Sequence, residues 1–285
     1  MSARTLRELA PVLTVDLFPE ERAALVELLS SLSNEDWGTP TVCPGWSAKD
    51  IAAHLLGDDA GRLSRGRDAF SAAAFTSFDR DTFEAELLAF INRQNEAWVE
   101  AARRLSPRLL IYLLRWSGEE TPRYFESLDL YALGEPVSWA GPEPAPVWLD
   151  VAREYTERWL HQQQIRDAVG KPGLKERRLF APVLDTFVRA LPHTFRDVVA
   201  PAGTHVRLTI TGDAGGEWSL VRGEGGWRLY AEADGQPQAI IALDQETAWR
   251  LFTKGISRDE ALATATISGE RALGLKVLDT VSIIA

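Results

Sequence analysis

The stretch Val147-Trp148-Leu149-Asp150-Val151-Ala152-Arg153-Glu154-Tyr155-Thr156-Glu157-Arg158-Trp159-Leu160-His161-Gln162-Gln163-Gln164 opens a segment that reads as one helix over about Val147–Val169. Gly170-Lys171-Pro172-Gly173 stops it, in the Gly-then-Pro order that terminates helices. At about 100° per residue, Glu157 and His161 fall on one face, a turn apart. Asp150, Leu160, Gln164 and Ala168 share that face, and Trp148, Ala152, Tyr155 and Trp159 take the opposite side. One face is aromatic and the other mixes apolar groups with a carboxylate–imidazole pair. A helix enclosed on two sides, as in a bundle, has this pattern.

Upstream, the sequence supplies partners for it. Phe18-Pro19-Glu20-Glu21 opens a segment with Leu25, Leu28, Leu29 and Leu32 at helical spacing. The run from Trp37 to Trp46 is too rich in Pro and Gly to be helical. Ser47-Ala48-Lys49-Asp50 then has the form of a capping box and opens a helix carrying Ile51, His54, Leu55 and Leu63. A third helical stretch is expected from about Thr82 to Leu105, with a restart at Ser106-Pro107 and an apolar piece through Trp116.

Downstream of Gly173 the character changes. A helix over about Ala181–Val199 leads into short alternating or β-branched segments at His205–Thr211, Glu217–Val221, Trp227–Ala231 and Ala239–Leu243, expected to form a β-meander. Helices near Gln245–Lys254 and Glu270–Leu278, a capping box at Ser257-Arg258-Asp259-Glu260, a strand at Ala265–Ser268 and a β-branched tail at Val281–Ile284 complete the reading. The fold class is α+β: an N-terminal four-helix bundle over residues 1–175, then a smaller α+β domain over 176–285 with a mostly antiparallel sheet.

Composition narrows the functional classes. The formal net charge of -10 opposes nucleic-acid binding, which needs a basic face. The longest central apolar run, Leu109 to Leu114, is far short of a bilayer span, so no membrane partner is expected. Cys43 is the single cysteine and forbids an intrachain disulfide, so a reducing cytoplasm is the expected home. Its place in a Cys-Pro-Gly-Trp turn suits a small space-filling thiol. The sequence leaves the oligomeric state open.

Of four histidines, His54 and His161 sit on expected helices, whereas His193 and His205 lie outside any motif. With Glu157 they make two imidazoles and one carboxylate, which leaves a coordination position open on a divalent ion, as in catalytic zinc sites. The plainer reading stands beside it. Glu and His four apart often pair on a helix without a metal, and a histidine on an apolar helix face is usually a hydrogen-bonded core residue. Asp58 and Asp59 are either partners of His54 or solvated.

Thr41-Val42-Cys43-Pro44-Gly45-Trp46-Ser47 with Asp50-Ile51-Ala52-Ala53-His54-Leu55, and Glu157-Arg158-Trp159-Leu160-His161-Gln162-Gln163, resemble the two signatures of the mycothiol-dependent maleylpyruvate isomerase family. The segment from Thr247-Ala248-Trp249-Arg250-Leu251-Phe252 onward is similar to its C-terminal domain, while about 70–145 is poorly diagnostic. The resemblance implies a DinB-like bundle and a divalent metal, zinc first, held by His54, Glu157 and His161 as the catalytic set. It implies mycothiol as thiol co-substrate and a small electrophilic, anionic substrate, hence an isomerase or S-transferase. Arg62, Arg65, Arg250 and Arg271 are candidates to meet that anion. The chain departs from many relatives at Gln164, where they carry an acid. The alternatives are a metal-dependent hydrolase or transferase using another thiol, and a non-enzymatic DinB-like ligand-binding or regulatory module.

Overall fold

The computed structural model describes residues 5–70 and 83–283. Among the described residues the chain gathers into two compact units, one comprising residues 5–13, 130–153 and 175–283, the other residues 14–70, 83–129 and 154–174. The α+β unit thus draws on two earlier segments as well as the C-terminal part.

The helical unit holds α1 (Phe18–Ser30), α2 (Asn34–Trp37), α3 (Ala48–Arg62), α4 (Phe83–Ala102), α5 (Pro107–Glu126) and most of α6 (Val147–Val169). Leu25, Leu28 and Leu29 of α1, Ile51 and Leu55 of α3, Leu110 and Leu114 of α5 and Ile165 of α6 close one apolar core. That is the expected four-helix bundle, with α4 laid against α3. Each fully buried leucine or isoleucine stabilises it by about 1.5–3 kcal/mol relative to exposure. The aromatic side of α6 is interior, since Tyr155 and Trp159 are fully buried. Tyr155 meets Phe18 edge-on at 5.6 Å, and Trp159 Nε1 donates to Leu174 O at 2.8 Å.

In the other unit α7 (Arg177–Val188) and the short α8 (Leu191–Thr194) stand where one helix over Ala181–Val199 was expected. Pro192 lies in the first turn of α8 and has no N–H to continue α7. The strands are β1 (Leu6–Arg7), β2 (His205–Thr211), β3 (Gly216–Gly223), β4 (Gly226–Tyr230), β5 (Glu232–Ala233), β6 (Ala239–Asp244) and β7 (Thr266–Gly269). β1 pairs with β5, and the main sheet has the order β4-β3-β2-β6-β7. β6 lies parallel to β2 while the other main-sheet pairs are antiparallel, so the sheet is mixed rather than a pure meander. Val206, Leu208 and Ile210 alternate with Arg207 and Thr209 along β2, burying one face of it. The helices α9 (Gln245–Phe252) and α11 (Arg271–Val277) pack on β2 and β6, and α10 (Arg258–Thr264) starts at the expected Ser257–Glu260 capping box. Residues 281–283 are not in a strand, and Ile284 lies outside the described residues.

Candidate metal centre

The site begins with a turn. Cys43-Pro44-Gly45-Trp46 closes on itself, Trp46 N–H donating to Cys43 O at 3.0 Å. Proline presets the second position, and the third needs a positive φ, which Gly45 supplies at 78°. Thr41 N–H donates to Trp46 O at 3.0 Å and pins the turn from the other side. Ser47 then caps α3: its Oγ accepts from Asp50 N–H at 3.3 Å, and its own N–H donates to Asp50 Oδ2 at 3.0 Å. One short segment therefore sets the start of α3 and brings Cys43 and Trp46 to its first turns.

His54 lies on the second turn of α3 and His161 on α6, and their rings sit 4.6 Å apart, nearly perpendicular. Trp46 covers the other side of His54 at 5.1 Å and is held by Nε1 donating to Glu96 at 3.1 Å. Each imidazole turns Nε2 toward a carboxylate one turn away on its own helix. For His54 this is Asp58 Oδ2 at 3.3 Å, and for His161 it is Glu157 Oε2 at 3.7 Å. The other ring nitrogen of His161, Nδ1, is 2.8 Å from Gln164 Oε1, and the Cys43 thiol reaches the same oxygen at 3.3 Å.

The two imidazoles are electrostatically unlike. Burial drives the pKa of His54 well below the ordinary histidine value, and the nearby charges of His161 and Arg158 add to this. Burial also pulls His161 down, yet its contact with Cys43 and the carboxylates of Glu157 and Asp58 outweigh that and carry it up to about 9. Asp58, its side chain still 29% exposed, is pushed up to about 7 by desolvation and by the repulsion of Glu154 and Glu157.

The sequence model described as the mycothiol maleylpyruvate isomerase N-terminal domain matches residues 18–166, which contain the turn, α3 and the three candidate ligands. The chain belongs to this family. Two solved structures share its fold over 83% of this chain and 86% of theirs, each with a TM-score of 0.50. One is the crystal structure of the mycothiol-dependent maleylpyruvate isomerase, at 12% identity. The other, at 11% identity, is that enzyme's histidine-to-alanine mutant. No curated protein sequence matches the chain.

The donors of this isomerase-family site suit a borderline metal such as zinc in type, being imidazole nitrogen and carboxylate oxygen. Two donors on one tetrahedral zinc ion stand about 3.4 Å apart, and the two His–carboxylate pairs, at 3.3 and 3.7 Å, have that spacing. Among the described residues no group of three or more His, Cys, Asp or Glu side chains stands so that it could hold a metal ion. The donors come instead as two pairs facing each other from two helices.

Of the flanking aspartates, Asp58 joins the cluster and Asp59 does not. Asp59 is fully buried and belongs to an ion-pair network behind the site. There Arg158 Nη2 lies 2.7 Å from Asp59 Oδ1, Arg22 Nη2 lies 2.8 Å from Asp59 Oδ2, and Ser117 Oγ donates to Asp59 Oδ2 at 2.6 Å. Arg158 also reaches Glu154 at 2.8 Å, which in turn holds Arg62 at 2.5 Å. Arg62 is thus engaged with Glu154, Arg65 is exposed three residues past the end of α3, and Arg250 stacks on Trp249 at 4.2 Å in the other unit, where Arg271 is exposed. His193 lies on α8, and His205 is buried in β2.

Sequence reasoning gives Cys43 a space-filling place because no histidine is close to it along the chain. The fold brings Gln164 and His161 to it from α6. Trp46 was legible only as a turn residue. Its position immediately before the Ser47 cap is the signal that it would hang over the first turns of α3.

Proposed function

We propose that this protein is a metal-dependent, thiol-dependent isomerase or S-transferase that takes mycothiol and a small, anionic electrophile as substrates. His54, Glu157 and His161 hold one divalent ion, zinc first, in a reducing cytoplasm. The carrying observation is that two imidazoles from different helices stand 4.6 Å apart with both Nε2 atoms beside carboxylates. Family membership over residues 18–166 supports the same reading.

A thiol free in water has a pKa near 8.5, and the thiolate is the nucleophile. A divalent ion with an open position supplies the positive charge that lets a thiol stand as thiolate at neutral pH. The protein's own groups prepare the place. His54, kept neutral by burial, offers a lone pair, and Glu157 balances charge. Trp46 shields one flank of His54 from water. A thiolate that adds to a cis double bond conjugated with a carbonyl leaves a single bond free to rotate. Elimination then returns the thiolate and the trans isomer, so no thiol is consumed. With an electrophile that cannot eliminate, the same addition ends as S-transfer.

The test is the rate of maleylpyruvate isomerisation by metal-loaded protein, with and without mycothiol. Turnover should require the thiol and disappear in His161→Ala. Turnover that ignores the thiol would favour a hydrolase or another transferase. No turnover with any small electrophile would favour a binding module.

A further inference from the structure

We infer that Gln164 is a positioning residue: its Oε1 keeps a proton on His161 Nδ1 and so leaves the His161 Nε2 lone pair facing Glu157. The inference deepens the metal reading and rests on it for its consequence, though not for its geometry.

A neutral imidazole carries one N–H and one lone pair, and the hydrogen bond made by one nitrogen decides what the other presents. His161 Nδ1 lies 2.8 Å from Gln164 Oε1, one turn along α6, whereas its Nε2 faces Glu157 Oε2 at 3.7 Å. Gln164 Oε1 also receives the Cys43 thiol at 3.3 Å. A ring N–H and an S–H are both donors, so an amide oxygen turned toward them satisfies both.

An amide differs from an acid at this position in one respect. It orients the ring equally well but adds no third negative charge to a cluster that already holds Asp58 and Glu157. Gln164→Glu should therefore keep the ring's orientation and tighten metal binding. Gln164→Leu should lose the orientation and weaken binding by roughly 10–100-fold, the usual cost of removing a partner behind a metal-ligating histidine.

Two measurements test this on the full-length protein. The first is the ¹⁵N shifts of the His161 ring in metal-free protein, followed to alkaline pH where the ring is neutral. The second is zinc affinity by chelator competition. The wild type and Gln164→Glu should show a protonated Nδ1 and an unprotonated Nε2, and Gln164→Leu a mixed or reversed pattern with weaker zinc. Should Gln164→Leu not fold, Gln164→Met, of similar length and without the acceptor, replaces it. Cys43→Ala removes the thiol's own contact with His161 but should keep the pattern, since Gln164 Oε1 stays within 2.8 Å of Nδ1. An unchanged ring pattern and unchanged zinc affinity in the Leu or Met variant would overturn the inference. A wild type that binds no zinc, yet shows the ring change in Gln164→Leu, would sink the metal reading and leave the positioning role standing.

Discussion

The same two helices, α3 and α6, carry two polar clusters on adjoining faces, and they are built on opposite principles. Asp59 and Arg158 are 0% and 1% exposed on their side chains, and their charges are met within 2.7–2.8 Å by Arg22, Glu154 and each other. Asp58, Glu157 and His161 are the immediate or near neighbours of those residues in sequence. Their side chains are 29%, 21% and 12% exposed, and the His–carboxylate contacts are looser, at 3.3 and 3.7 Å. The closed cluster spends its polar groups on one another and fixes how α3 meets α6. The open cluster leaves lone pairs uncommitted in a place the closed one holds still. A structural ion pair and the proposed binding site are thus separated by one residue step on each helix, because one step of about 100° changes the face.

That contrast can be broken most forcefully from the closed side. Asp59→Ala leaves Arg22 and Arg158 buried without their carboxylate and should cost about 3–5 kcal/mol in urea unfolding. A loss under 1 kcal/mol would show that the network is not what fixes the helices.

The next effect is a pH dependence. Burial raises the pKa of Asp59, but Arg22, Arg158 and the Ser117 hydroxyl outweigh it and hold the carboxyl below the unfolded value of 3.8. A depressed carboxyl contributes stability that is whole above 3.8 and is lost as pH falls through the lower folded value. Acid unfolding below that pH should therefore be steeper in the wild type than in Asp59→Asn; parallel curves would contradict the assignment.

Smaller still is Gly57→Ala on α3. Its Cβ would stand 2.6 Å from the Trp98 indole, which donates Nε1 to Ala53 O at 2.7 Å. Trp98 is 38% exposed and has room to yield, so a loss of about 1–2 kcal/mol in melting experiments is expected. The smallest effect belongs to the open cluster. Metal-free Glu157→Gln should unfold within about 1 kcal/mol of the wild type, because its side chain is partly exposed and its contact with His161 is loose, at 3.7 Å.

Much of this frame is legible in the chain. α6 spans the expected Val147–Val169, and Ser47–Asp50 and Ser257–Glu260 cap as their spacing requires. Such features depend on neighbours a few residues away. The parallel pairing of β2 with β6 escapes because alternation shows which residues face a core and nothing about which strands adjoin. Arg158 and Glu154, four apart, read equally well as a solvated surface pair, and only Asp59 on another helix reveals them as buried. Cys43 and Gln164 escape for the same reason, since their meeting exists only once the turn before α3 lies against α6. His54, Glu157 and His161 were joined into one set through a family resemblance, the Glu157–His161 spacing alone being shared by many metal-free helices.

The account turns on whether His54 of one helix and Glu157 and His161 of the other act together on one ion. Calorimetric zinc titration of chelator-stripped protein addresses this directly, comparing the wild type with His54→Ala, Glu157→Gln and His161→Ala. One equivalent of zinc should bind the wild type, and each substitution, whichever helix it lies on, should abolish or sharply weaken binding. A wild type that binds no zinc, or a site indifferent to His54 while sensitive to His161, would contradict it.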